Sequence, residues 1–264
     1  MAAAVTQRIA LGLEYDGTGF SGWQTQKDGP TIQGCVQDAL STVADHHVQV
    51  TCAGRTDSGV HATHQVVHFD TSADRRERGW VLGTNTQLPP AVRIHWARVT
   101  DTDFHARFEA LARSYRYVIV NRETGPALNH RRVWCVHQEL DAEKMQTAAE
   151  QLIGEHDFSS FRAAECQSNS PYRNVYRFEV HRSGDFVFVD IEANAFLHRM
   201  VRNIVGALVH VGNGTASPGW VGELLEAKDR RAGAVTAPSQ GLYLVDVRYP
   251  DRYDLPRGKP PSLF

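Results

Sequence analysis

Hydrophobic and polar positions along the chain follow two rhythms, a period of two and a period near 3.6, and their order predicts the architecture. Ile9 to Tyr15 reads as a strand closed by the turn Tyr15-Asp16-Gly17-Thr18-Gly19. Thr31 is placed to cap a helix over 32–44. Val48, Val50 and Cys52 then alternate with Gln49 and Thr51 as a second strand. Val66-Val67-His68-Phe69 makes a third strand, 74–86 a second helix, and Ile94 to Val99 a fourth strand. The order β-α-β-β-α-β is that of a ferredoxin-like unit.

A similar order starts again downstream. Ser114 to Val120 reads as a strand with Tyr115, Tyr117 and Ile119 on one face, and a helix over 141–153 is opened by Asp141. Val175–Arg182 and Phe186–Ala193 flank the hairpin signal Ser183-Gly184-Asp185, with Val187, Val189, Ile191 and Ala193 facing one way. Leu197, Met200, Ile204, Leu208 and Val211 keep helical spacing, and Leu242 to Val247 is a closing strand. The predicted class is therefore α+β: two ferredoxin-like halves with mainly antiparallel sheets, meeting in a central cleft. The expected division is a domain over 1–105, a second over 106–249, and a Pro-rich surface tail over 250–264.

Composition narrows the class without changing this outline. A chain of 264 residues can bury about 70–75% of its unfolded surface, enough for one large domain or two moderate ones. With 42% hydrophobic and 22% charged residues it has the makeup of a soluble globular protein. Residues 1–8 carry no signal-peptide pattern and no later run reaches membrane-spanning length, so a cytoplasmic location is expected. Cys35, Cys52, Cys135 and Cys166 form no C-x-x-C pair, which argues for reduced thiols rather than a zinc ribbon or redox dithiol. The net charge of −2 advertises no polyanionic partner, so any nucleic-acid site must come from local clustering.

The candidate chemistry lies in four places. Gly54-Arg55-Thr56-Asp57-Ser58-Gly59-Val60-His61 sets a lone carboxylate in a glycine-bounded turn after a strand, where a scaffold can present a reactive group. The turn alone is equally served by Asp and Ser bonding their own backbone, with Gly59 allowing positive φ. Arg113-Ser114-Tyr115-Arg116-Tyr117 mixes cations and aromatics as phosphate contact and base stacking require, although a half-buried strand with an Arg face has the same composition. In Asn194-Ala195-Phe196-Leu197-His198-Arg199-Met200-Val201-Arg202-Asn203, Arg202 falls at the edge of the apolar stripe near Val205 and Val209. It either reaches water along its stem or pairs with a carboxylate. The Gly- and aromatic-rich run before Gln24-Thr25-Gln26-Lys27 meets neither dinucleotide nor Walker spacing. No metal site is expected either: in a strand, His64 and His68 stand about 13 Å apart.

With these residues assembled, the chain resembles the tRNA pseudouridine synthase A (TruA) family. The resemblance runs in order through Tyr15-Asp16-Gly17, Gly22-Trp23-Gln24, Ala53–His61, Arg113–Tyr117, His156-Asp157-Phe158-Ser159-Ser160-Phe161-Arg162 and Asn194–Gly206. It continues through Ala227-Lys228-Asp229-Arg230 and Gly241-Leu242-Tyr243-Leu244. Ser58 departs from the alanine many relatives carry, but keeps the position small.

The resemblance implies isomerisation of uridine to pseudouridine at positions 38, 39 and 40 of the tRNA anticodon stem-loop, by a homodimer, without metal or organic cofactor. Asp57 would be the nucleophile, attacking C1′ or C6, or a base at C2′ in a glycal route. Arg202 would hold Asp57 ionised and oriented. Tyr115 would stack on the target base and help remove the C5 proton. Arg55 would fill the space of the flipped nucleotide or hold its phosphate, and Arg113 and Arg116 would join it in substrate binding.

Two other classes compete. Asp57-Ser58-Gly59 fits the D-[ST]-G triplet of aspartic proteases, but that chemistry needs two carboxylates and no second triplet occurs. A non-catalytic RNA-binding module would be expected to lack Asp57, Tyr115 or Arg202, and all three are present.

Overall fold

The computed structural model of the protein describes residues 6–261; the sequence readings that fall on 1–5 and 262–264 lie outside them. Two compact units divide the chain. One runs to Arg113 and resumes at Leu244; the other is Ser114–Tyr243. Both are mixed α+β, built mainly from antiparallel strands.

The first unit begins with β1 (Gln7–Tyr15), α1 (Ile32–Ala44), β2 (Thr51–Cys52), β3 (His61–Thr71), α2 (Glu77–Gln87) and β4 (Val92–Thr100). β1 pairs antiparallel with both β3 and β4, and β2 pairs with β3 at Thr51↔His68 and Cys52↔Val67. Ile9, Leu11, Leu13, Val67 and Phe69 are buried, and the Phe69 ring meets Trp80 of α2 edge-on at 5.2 Å. Thr31 caps α1 by accepting from the Gly34 amide at 3.2 Å, as its sequence position requires.

Two expectations are corrected here. The alternation from Val48 to Cys52 gives only two residues of strand. The amides of Val48 and Val50 donate instead to Ser41 Oγ (2.9 Å) and Gln37 Oε1 (3.2 Å), so side chains of α1 take the bonds a partner strand would have taken. β3, by contrast, starts at His61, five residues before the apolar run that announced it.

The second unit holds β5 (Ala112–Asn121, from Ser114 on), β6 (Trp134–Val136), α3 (Ala142–Glu150), β7 (Gly154–Asp157), β8 (Tyr172–Ser183), β9 (Phe186–Ala193), α4 (Met200–Gly212) and α5 (Trp220–Ala227). The order β5-β9-β8-β7 is completed by β6, parallel to β5. Along β9 the inward residues Val187, Val189, Ile191 and Ala193 are buried while their neighbours are half-exposed, the predicted alternation. Asp141 caps α3 through the amides of Glu143 and Lys144 at 3.1 and 3.0 Å. Strands β6 and β7 and helix α5 are too short or too polar to have been read in the sequence.

The last strand, β10 (Leu242–Arg248), lies beside β3. The segment after it, expected as a surface tail, is tied to the unit by specific bonds. Arg257 pairs with Asp246, the Gly258 amide donates to Asp246 Oδ1 at 2.7 Å, and Thr63 Oγ donates to Lys259 O at 2.7 Å. Among the described residues no helix is long and apolar enough to cross a membrane.

Candidate active site

Asp57 opens a turn closed by the Val60 amide donating to Asp57 O at 3.1 Å. Gly59 sits in the turn at φ +76°, a value reserved for glycine because a Cβ would collide with the backbone. The loop after β1 presses against this turn. A Cβ on Gly17 would stand 2.1 Å from Val60 O, and one on Gly22, at φ +91°, 2.8 Å from Thr56 O. The Trp23 amide donates to Thr56 O at 3.0 Å, and the Tyr15 and Thr56 hydroxyls share a bond of 2.8 Å. The glycines that failed as a phosphate loop are thus spacers that let one backbone lie on another. Ser58 Oγ donates to Phe20 O at 3.0 Å, a contact alanine could not make.

The base of the turn is braced from β3. Gln65, fully buried, donates to Gly54 O at 2.6 Å and accepts from the Gly54 amide at 3.4 Å. Arg113 binds the same stem: its Nε and Nη2 donate to Ala53 O at 3.3 and 3.0 Å, with Ala110 O and Arg107 O as further acceptors. Arg55 is exposed and Asp57 half-buried. Cys52, the nearest thiol, is no competing nucleophile; burial pushes it up to about 12 against the opposing charge of Arg55. At the head of the β1 loop His61 Nδ1 lies 3.1 Å from Asp16 Oδ1 and 3.0 Å from the Gly17 amide, donating to the first when protonated and accepting from the second when not. The bond to His61, then the Thr18 hydrogen bonds, holds the Asp16 carboxyl well below the usual carboxylate range.

In the second unit, Tyr115 stands on β5, buried, with its ring meeting Phe196 edge-to-face at 5.0 Å and 84°. Two residues on, Tyr117 is structural. Its hydroxyl donates to Pro238 O at 2.8 Å, and burial raises its pKa far above the usual phenol range although the charge of Arg202 opposes the shift. Between them, Arg116 forms a bidentate pair with Asp190, both bonds 2.7 Å, and lies over the Phe188 ring at 5.0 Å.

Arg202 lies in the first turn of α4, half-buried as the helical projection predicts. Its Nε donates to Ala237 O at 2.8 Å, and the Ala237 amide returns a bond to Arg202 O at 3.1 Å. The helix starts later than its spacing suggested. Leu197 belongs to the approach, and Arg199, exposed, takes the left-handed conformation at φ +59° immediately before the first turn. A non-glycine residue there costs about 1 kcal/mol, and nothing in its neighbours' composition signals it. Gln65, beside the Asp57 turn, and Phe196, beside Tyr115, are neighbours that sequence reasoning did not single out.

Comparison with known proteins fits these features. The family model described as tRNA pseudouridine synthase matches residues 13–109 and 148–250, spans that include the Asp57 turn and Arg202. A protein of Methylococcus capsulatus named tRNA pseudouridine synthase A is 58% identical over 251 residues, covering 95% of this chain and 92% of its own. Proteins of the same name from Nitrosococcus oceani and Idiomarina loihiensis are 56% and 53% identical, over 95% and 94% of this chain and 96% and 95% of theirs. The chain belongs to the tRNA pseudouridine synthase family.

Proposed function

We propose that this protein isomerises uridine to pseudouridine at positions 38, 39 and 40 of the tRNA anticodon stem-loop, with Asp57 as nucleophile. The observation that carries the reading is the Asp57 turn, where a half-buried carboxylate stands on a backbone held from two sides by Gly17, Gly22 and Gln65. The reaction breaks the N1–C1′ bond, turns the uracil and rejoins it through C5, and one fixed carboxylate suffices for it. Attack at C1′, attack at C6 and a glycal route all begin from that carboxylate.

Arg202 supplies the cation that orients the reacting carboxylate. Tyr115 stacks on the target base and carries the C5 proton, its ring set by Phe196. Arg55, exposed two residues before Asp57, takes the place of the extruded nucleotide. Arg113 and Arg116 contribute substrate contact only through donors that Ala53, Ala110, Arg107 and Asp190 do not already occupy. Each chain carries two ferredoxin-like halves, and two chains form a homodimer in the cytoplasm; sedimentation of the purified protein checks the dimer.

The test is carbodiimide-dependent primer extension on tRNA transcripts incubated with the protein. The reading expects new stops reporting pseudouridine at one or more of positions 38, 39 and 40. Conversion elsewhere only, or tRNA binding with no conversion, as a non-catalytic RNA-binding module would give, contradicts it.

A further inference from the structure

One motif of the resemblance, Ala227-Lys228-Asp229-Arg230, has no part in the chemistry proposed above, and its last residue ends in a half-buried polar cluster. Arg230 Nη2 lies 3.2 Å from Asn203 Oδ1, 3.0 Å from Ala234 O and 3.1 Å from Thr236 Oγ. Thr236 Oγ donates to Asn203 Oδ1 at 2.6 Å, and Asn203 Nδ2 donates to Phe161 O at 2.8 Å. The polarity is consistent, with the two protons of Arg230 Nη2 shared among three acceptors. Thr236 gives its proton to Asn203 and receives one from Arg230, while Asn203, only 3% exposed, uses both lone pairs and one amide proton.

The cluster brackets Arg202 in both directions of the chain. Asn203 is its neighbour on α4, and Thr236 precedes Ala237, whose carbonyl accepts from Arg202 Nε. The segment 235–237 is seated directly on the helix. A Cβ on Gly206 would stand 2.0 Å from Val235 O, so glycine one turn beyond Arg202 is what lets the segment approach. The segment leading to the Ala237 carbonyl is therefore held by Val235 packing on Gly206 and by the Thr236 hydroxyl bonding to Asn203.

We propose that Arg230, Asn203 and Thr236 form a positioning cluster that sets the 234–237 segment, and through Ala237 O the orientation of the Arg202 guanidinium. These residues touch no reacting atom. The inference rests on the proposed catalytic role of Arg202, which the experiment below tests separately.

Thr236→Val removes the hydroxyl at constant shape, and Thr236→Ser restores it. Single-turnover release of tritium from tRNA labelled at uridine C5 is measured for both, alone and combined with Arg202→Lys, which lacks the Nε–H that Ala237 receives. The expectation is a loss in kcat of about tenfold for Thr236→Val with KM for tRNA unchanged, recovery to within about twofold in Thr236→Ser, and no additional loss when Thr236→Val is added to Arg202→Lys. A loss of equal size in the wild-type and Arg202→Lys backgrounds overturns the inference while leaving Arg202 in place, because a merely structural hydroxyl acts independently of Arg202. So does an unaltered kcat in Thr236→Val. Wild-type rates in Arg202→Lys overturn the role of Arg202 and this inference together.

Discussion

A carboxylate serves as a nucleophile when it is ionised, aimed and prevented from drifting, and in the role proposed for Asp57 the last requirement falls on residues that do no chemistry. Gly17 is the sharpest case. Alanine there would set a Cβ 2.1 Å from the Val60 carbonyl, a backbone atom with nowhere to go. Gly17→Ala is expected to cost about 1–3 kcal/mol, read as a lower urea midpoint, with kcat falling further than stability alone accounts for. Tyr115→Phe asks a different question. The ring stays against Phe196 and the hydroxyl is lost, so tRNA affinity is expected within about twofold of wild type and turnover down on the order of a hundredfold. Equal turnover would remove the proton-transfer role and leave Tyr115 a stacking platform. The sequence marked Asp57, Tyr115 and Arg202 as candidates, and the roles proposed for them came from the resemblance. It could not supply Gln65 or Phe196, whose residue types are common and whose importance is only what they touch.

Elements differ in how closely they serve the site. β3 carries Gln65 into the stem of the Asp57 turn, and Gln65→Leu would strand the half-buried carbonyl and amide of Gly54. A cost of about 1–3 kcal/mol for such unpaired groups, with a parallel fall in kcat, is expected from denaturation and turnover measurements. The cap of α3 makes the contrast. Asp141→Ala removes two bonds to the first turn for about 1 kcal/mol, and kcat is expected to stay unchanged. Both caps, at Thr31 and Asp141, were legible because capping is local chemistry written in adjacent residues. The strand read over Val48–Cys52 was not, because alternation shows which side chains face the core and not where the amides go. Here they go to Ser41 and Gln37 of the preceding helix. The start of α4 was hidden for a related reason: Leu197 keeps the helical period, but Arg199 turns the backbone left-handed before the helix forms.

At the scale of the whole molecule, pH links folding to a histidine away from the chemistry. His68 is 6% exposed, and its Nδ1 accepts from the Ala106 amide at 3.1 Å, which only the unprotonated ring can do. Burial, then the charges of Arg8 and His105, lowers its pKa from 6.5 to about 4. Between those values the unfolded chain binds a proton the folded chain refuses. Stability is therefore full above pH 6.5 and declines as pH falls toward 4, by about 3 kcal/mol at most. His68→Asn keeps an acceptor for Ala106 and should flatten the decline in urea midpoint between pH 6.5 and 4.5; an unchanged slope would assign it to other groups. The order of the longer elements in each unit was readable from periodicity, whereas the grouping of Leu244 and the residues after it with the first unit depends on long-range contacts such as Thr63 with Lys259. Above these details stands the claim that this fold exists to hold one carboxylate against a uridine. Release of tritium from tRNA labelled at uridine C5, wild type beside Asp57→Ala, measures it most directly. The account predicts label released by the wild type and none above background by the variant; a silent wild type, or a variant that keeps pace with it, would contradict the account.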